Sequence, residues 1–214
     1  VAVGTGALFS NTGRSNLVAI GDSALYNNGS GAVNSSDATS NTAIGSKALY
    51  SNTTGSFNTA NGYQSLYANT TGLGNTANGN KALYANTTGF SNTAIGNSAL
   101  GSNTTGVNNT ANGYQALFAN STGNNNSANG YLSLFNNSSG SRNTANGFHS
   151  LYANTTGYNN TSNGYQALRS NTTGYSNIAV GTQALFQNTT ISNLVAIGDS
   201  ALYNNGLDAI NSYD

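Results

Sequence analysis

The sequence predicts an all-β fold, a parallel β-solenoid (β-roll) of about twelve 17-residue coils, and three observations carry that prediction. A glycine recurs at Gly4, Gly21, Gly45, Gly62, Gly79, Gly96, Gly113, Gly130, Gly147, Gly164, Gly181 and Gly198, so ten of the eleven steps are 17 residues and one is 24. A leucine stands four residues after every one of these anchors, from Leu8 to Leu202. Gly, Asn, Ser and Thr are too dense for helix, and a 17-residue unit cannot hold two helices. A short fixed period with these residues means coils stacked one on another.

The consensus coil is N-T-A-[IN]-G-Y-Q-A-L-Y-A-N-T-T-G-x-x. One short strand is expected over N-T-A-[IN] up to the anchor, and a second over Y-Q-A-L-Y-A. N-T-T-G turns between them, because Gly and Asn supply the positive φ such a turn demands. Stacked at the strand spacing of about 4.8 Å, the coils make a rod of roughly 55–60 Å. Alternation along the second strand sends the leucine to one side and its two neighbours, a small residue and an aromatic, to the other. Leu49, Leu66, Leu83, Leu117 and Leu151 are therefore assigned to the interior with the alanine two residues before each anchor, and Gly62, Gly79 and Gly113 are structural. The aromatics Tyr50, Tyr67, Tyr84, Phe118, Phe135 and Tyr152 become an outer stripe, interrupted at Gly101 and Arg169. A contiguous apolar stripe marks association, so these six are the candidate chain–chain contacts; the plainer alternative is that they shelter the sheet. One residue before the anchor, Ile44 and Ile95 give way to Asn61 and Asn78 in other coils, a position that is either exposed or a ladder of stacked amides.

Composition alone would also fit a disordered low-complexity tract, but such a tract has no reason to keep leucine in phase. Five basic and five acidic side chains in 214 residues cannot make the basic stripe that nucleic acid requires. There is no apolar run of the ~20 residues needed to span a bilayer, so this segment is not expected to insert into a membrane. The lack of Cys excludes disulfides and thiolate metal sites. Sparse charge with abundant Asn and Thr suits an extracellular surface protein.

Residues 1–214 form one repeat domain, with a seven-residue insertion between the second and third coils at about 29–40. Residues 16–29 and 193–206 carry the same word, NLVAIGDSALYNNG, an offset of 177 that equals ten periods plus the insertion. A second higher-order repeat therefore starts at about residue 178. Solenoids normally carry divergent polar caps, and neither end here diverges. The expectation is a cut piece of a longer array, or subunits that stack end to end into a filament.

Chemical signatures are sparse. The single histidine, His149, occupies a position held elsewhere by Gln64, Gln115, Lys47 or Ser98, which reads as a solvent-facing substitution. Asp22 and Asp199 share one slot of the repeat, as do Asp37 and Asp214. Such pairs lie far apart along a rod, whereas paired catalytic carboxylates must converge; no catalytic or cofactor-binding residue is assigned and the chain is not expected to be an enzyme. Calcium is the one metal to weigh, at Asp37 or at Asp208 with Asp214, although the Asp-rich solenoid word is missing. Sequons recur at Asn52, Asn69, Asn86, Asn103, Asn120, Asn137, Asn154, Asn171 and Asn188. They are glycosylation candidates, against the alternative that Asn and Thr serve turn geometry and amide stacking.

The words V-A-I-G-D-S-A-L (18–25 and 195–202), N-T-A-I-G-S-K-A-L (41–49) and N-T-A-I-G-N-S-A-L (92–100) resemble the head repeats of YadA-like trimeric autotransporter adhesins. The longer word, as at 75–89 and 109–123, is similar to arrays in bacterial and phage tail-fibre-like surface proteins, which often precede an endosialidase-type intramolecular chaperone. The resemblance spans essentially the whole chain, but the adhesin head period is nearer 14 or 15 residues. It implies a left-handed roll, three chains side by side, and surface attachment at a cell or virion fibre. The expected function is thus a non-catalytic extracellular fibre or adhesin module that extends and presents a multivalent surface, with partners in its own copies and in an unspecified receptor or glycan. Two alternatives stand beside it: a single-chain solenoid polymerising end to end, and an ice-binding protein that uses Thr/Asn ladders.

Overall fold

The computed structural model describes residues 1–205, and among them every regular element is a strand. Twelve short strands, from β1 (Ala2–Val3) and β2 (Val18–Ile20) through β3 (Thr42–Ile44) to β12 (Val195–Ile197), pair in chain order into one parallel sheet. Each covers the residues just before an anchor glycine, and the repeat sets the register: Thr59 lies beside Thr76, Ala60 beside Ala77 and Asn61 beside Asn78. The molecule is therefore a β-solenoid of twelve stacked turns. The 24-residue coil does not disturb the stack, since Val18, Ala19 and Ile20 still pair with Thr42, Ala43 and Ile44. Its extra residues leave as a loop, braced by the Arg14 guanidinium, which donates to the carbonyls of Asn34 (2.6 Å) and Ala32 (2.8 Å).

The second strand expected over Y-Q-A-L-Y-A does not form. That segment is a chain of tight turns in which the second and fourth residues after the anchor both take positive φ, as Gln64 (55°) and Leu66 (50°) do. Within a coil, Ser65 N–H donates to Gly62 O (3.3 Å) and Asn69 N–H to Leu66 O (3.1 Å). The amides left over reach the neighbouring coil: Leu66 N–H donates to Ala82 O and Ala68 N–H to Tyr84 O, both at 3.0 Å. Because the left-handed residues break the alternation of a strand, leucine and the small residue before it both turn inward. Leu49, Leu66, Leu83, Leu117 and Leu151 are fully buried, and so are Ala48, Ala82 and Ala116, which were expected outside.

The core is a thin sandwich. Alanines of the strands, such as Ala60, Ala77 and Ala111, face the leucines across it. Each fully buried leucine contributes roughly 1.5–3 kcal/mol, offset by the cost of holding a branched residue at positive φ, on the order of 1–3 kcal/mol. Ser162 replaces the strand alanine in one coil, and its hydroxyl is matched by a hydrogen bond with Ser150 Oγ (2.6 Å) and a donation to Ala167 O (2.8 Å).

The rest of the interior is asparagine, apart from Ser65, Ser133 and Ser150, which stand where other coils have Ala48 or Ala82. Asn58 and Asn69 converge on the carbonyl of Gly72, donating from Nδ2 at 2.9 and 3.0 Å. Asn69 Nδ2 also donates to Asn52 Oδ1 (2.9 Å), and Asn69 Oδ1 accepts from Asn86 Nδ2 (2.8 Å). Asn58 Oδ1 accepts the backbone N–H of Asn75 (3.0 Å). Both columns recur coil after coil, so the buried amides are consumed in bonds that run along the axis, as a buried polar group requires. Backbone approach is correspondingly close. A Cβ on Gly113 (φ +142°) would meet the Gly130 carbonyl oxygen at 2.5 Å, and one on Gly72 would collide with Asn69 Oδ1 and the Gly89 carbonyl. Two rows of the repeat are glycine for that reason.

Candidate functional site

The outer wall of the turn segment carries three adjacent columns of side chains. The first is the predicted aromatic stripe, which is a stack. Phe9, Tyr26, Tyr50, Tyr67 and Tyr84 lie ring on ring at centroid distances of 4.8, 5.2, 5.3 and 5.3 Å. Phe118, Phe135 and Tyr152 continue it at 5.4 Å per step. The six candidate chain–chain contacts thus cover one another and are half-buried, with their outer edges in water. Stacked turns place identical positions about one strand spacing apart, and aromatic pairs at 4.5–7 Å attract; the ladder follows from the repeat.

The two interruptions behave differently. Arg169 keeps the ladder whole: its guanidinium lies 5.6 Å from the ring centres of both Tyr152 and Phe186, a planar cation between two π faces. Gly101 leaves an indentation in which the Phe118 ring leans over the glycine.

A second aromatic column, one residue after the anchor, escaped the sequence reading. Tyr114, Tyr131, Phe148 and Tyr165 are exposed and stacked at 5.2 and 5.3 Å. Its signal was present, four rings at consecutive 17-residue steps, and even the alternation of the expected strand puts it on the same face as the first column, four residues away. Between the two columns runs a third, two residues after the anchor, where Gln183 Nε2 donates to Gln166 Oε1 (3.1 Å) and Lys81 Nζ sits 5.6 Å from the Tyr84 ring centre.

His149 belongs to this middle column and is not the solvent-facing residue expected. Its ring stacks at 4.0 Å on Phe148 and 4.9 Å on Tyr152, joining the two aromatic columns. Both ring nitrogens are out of water with no hydrogen-bond partner. Desolvation, and secondarily the Arg169 charge, lower its pKa below the ordinary 6.5. Over these coils the surface is a continuous aromatic face bounded by Gly101 at one end and Arg169 at the other.

The other candidates sit elsewhere. The sequon asparagines Asn52, Asn69, Asn86, Asn103, Asn120, Asn137, Asn154, Asn171 and Asn188 are fully buried. For Asn69, Asn86, Asn103, Asn120, Asn137, Asn154, Asn171 and Asn188, Nδ2 bonds both the preceding coil's amide and a carbonyl of its own turn. Asn52 Nδ2 does the same toward Asn28 Oδ1 and Gly55 O. A sugar on any of them would break the ladder, so the glycosylation reading is corrected: the folded coil uses this row for amide stacking. The Ile/Asn row is exposed at Ile44, Asn61, Asn78 and Ile95, with amide bonding at Asn129 Nδ2 to Asn146 Oδ1 (2.9 Å). Asp37 accepts from the backbone and side-chain amides of Asn34. Asp208 and Asp214 lie outside the described residues, and among those described no three His, Cys, Asp or Glu come together as a metal site.

Chemically, this wall offers flat π faces, phenol hydroxyls, and cations at Lys81 and Arg169. That is equipment for contact. Comparison with known protein families, curated proteins and solved structures found no match.

Proposed function

We propose that the chain is a non-catalytic solenoid segment of an extracellular fibre, whose work is to extend, stiffen and present a repeated surface. The observation that carries this reading is the identity of successive joints. From the third coil to the eleventh, each coil is held to the next by the same backbone bonds and the same two asparagine columns, with Leu17 and Leu194 ending one of them, so length is gained by adding coils, and each added coil repeats the outer wall. Weak contacts on such a wall multiply along its length. The outward aromatic columns supply the surface on which sister chains would lie, three to a fibre as the adhesin-like words imply.

Negative-stain microscopy with sedimentation at graded protein concentration tests it. Trimers or fibres of constant width are expected, and a monomer at every concentration would sink the assembly part of the reading. A second reading has one observation in its favour: the outward face of the sheet carries Thr42, Thr59, Thr76, Thr93, Thr110, Ser127 and Thr144 in register, a hydroxyl column of the kind that orders water. Thermal hysteresis of the purified rod would establish ice binding, and its absence would remove it.

A further inference from the structure

We infer that the break in the aromatic ladder at Gly101 is a binding slot for one flat aromatic ring bearing an anionic group. At this level of the wall, the coils on either side carry a ring, Tyr84 before and Phe118 after, while Gly101 contributes no side chain. A cavity of about 490 Å³ opens there, lined by Lys81, Tyr84, Ser98, Gly101, Gln115 and Phe118. That is within the size range of small-molecule sites. Intact parts of the ladder advance by 5.3 Å per coil at Tyr67–Tyr84, so the slot is one ring layer deep.

Arg169 shows what such a layer accepts. It is the other coil without a ring, and there a planar group lies between two aromatic faces, 5.6 Å from each centre. At Gly101 no planar group of the chain fills the layer. The Phe118 ring, still stacked on Phe135 at 5.4 Å, overhangs it, close enough that a Cβ on Gly101 would meet its Cε2 at 2.8 Å. An entering ring takes the layer between Tyr84 and Phe118 and gains two stacked faces.

The rim selects charge. Lys81 Nζ stands 5.6 Å from the Tyr84 ring centre, and the polar side chains beside the rings, Ser98, Ser102 and Gln115, are neutral. One cation without a lining carboxylate disfavours the guanidinium that serves at Arg169 and favours an aromatic carboxylate or a phenolate. A pyranose would also lie against tyrosine, but it brings no charge for Lys81.

Titration of the purified chain with 2-naphthoate, followed by NMR of the Tyr84 and Phe118 ring signals, tests the slot. Saturable binding with a dissociation constant on the order of 1 mM is expected for so small a ligand. Cyclohexanecarboxylate, with the same charge and no flat face, should bind at least about tenfold more weakly, a loss of the size that stacking supplies. Gly101→Phe completes the ladder and should abolish binding. Lys81→Glu, which leaves the glycine and the rings untouched, should weaken naphthoate by about tenfold or more through like-charge repulsion. No saturation by 2-naphthoate, equal binding of cyclohexanecarboxylate, undiminished binding to Lys81→Glu or to a folded Gly101→Phe, or preference for methyl β-glucoside over naphthoate would each overturn the assignment.

Discussion

The inside and the outside of this solenoid obey different rules. Inward positions hold one residue type with little variation: leucine four residues after each anchor, asparagine in two columns, glycine where backbones touch. Outward positions wander. Two residues after the anchor the chain carries Lys47, Gln64, Lys81, Ser98, Gln115, Leu132 and His149 in turn, all at nearly the same positive φ. The contrast teaches that the conformation of a coil is dictated from within. The outer side chains ride on a backbone they do not choose, and many of them would choose otherwise.

The sharpest way to break that contrast is to trespass on the inside. Gly113→Val puts a branched side chain at φ +142° and against the Gly130 carbonyl; overpacking and strain together should cost about 4 kcal/mol or more, read as loss of the urea unfolding transition or its collapse to low denaturant. Next in size is Asn120→Ala. It removes the acceptor of Asn137 Nδ2 and the donor to Asn103 Oδ1 and Gly123 O, stranding buried groups at a cost of roughly 2–4 kcal/mol. Hydrogen exchange should locate the damage in the coils on either side, and Asn120→Asp should be worse, since it buries a charge among acceptors.

On the outside the same experiments should give small effects, one of them of opposite sign. Gln115→Gly relieves a non-glycine residue held at φ 49° and should stabilise by about 0.5–1 kcal/mol, less the entropy glycine adds to the unfolded chain; a lower urea midpoint would contradict the claim that the backbone imposes this conformation. The smallest effect concerns His149. Because its pKa is lowered in the folded state by desolvation and by Arg169, the unfolded chain binds the proton more readily, and stability must rise with pH through that window. The contribution is complete above the ordinary value of 6.5 and is lost as the pH falls below it. His149→Gln, which installs the residue that Gln166 supplies in the following coil, should flatten the slope.

Much of this architecture was legible in the residues. The glycine period fixed the stacking and the register, and the phase of leucine identified the core at Leu49, Leu66 and their equivalents. The handling of Y-Q-A-L-Y-A was not legible, because leucine at positive φ contradicts its ordinary preference and is sustained only by the neighbouring coils, which no local rule sees. From that error came the misplacement of Ala48 and Ala82; the neighbourhood of Tyr114 and Tyr131 with Phe118 and Phe135 was legible, since residues four apart share a face of a strand as well. Of the two readings of the sequons, turn geometry with amide stacking is the one the structure shows. N-T-T is a surface word in a protein with an apolar core, whereas here the core itself is amide. His149 was misjudged because its burial comes from Phe148 and Tyr152, rings that adjoin it only once the turns are formed.

The asparagine column has a direction. From Asn52 through Asn188, each side-chain amide offers its N–H toward the preceding turn and its oxygen toward the following one, so the dipoles add instead of cancelling, and each polarises the next. The rod is therefore a vector: its two extremities present opposite halves of the same bond, and only a head-to-tail union of two such rods would carry the column across the join.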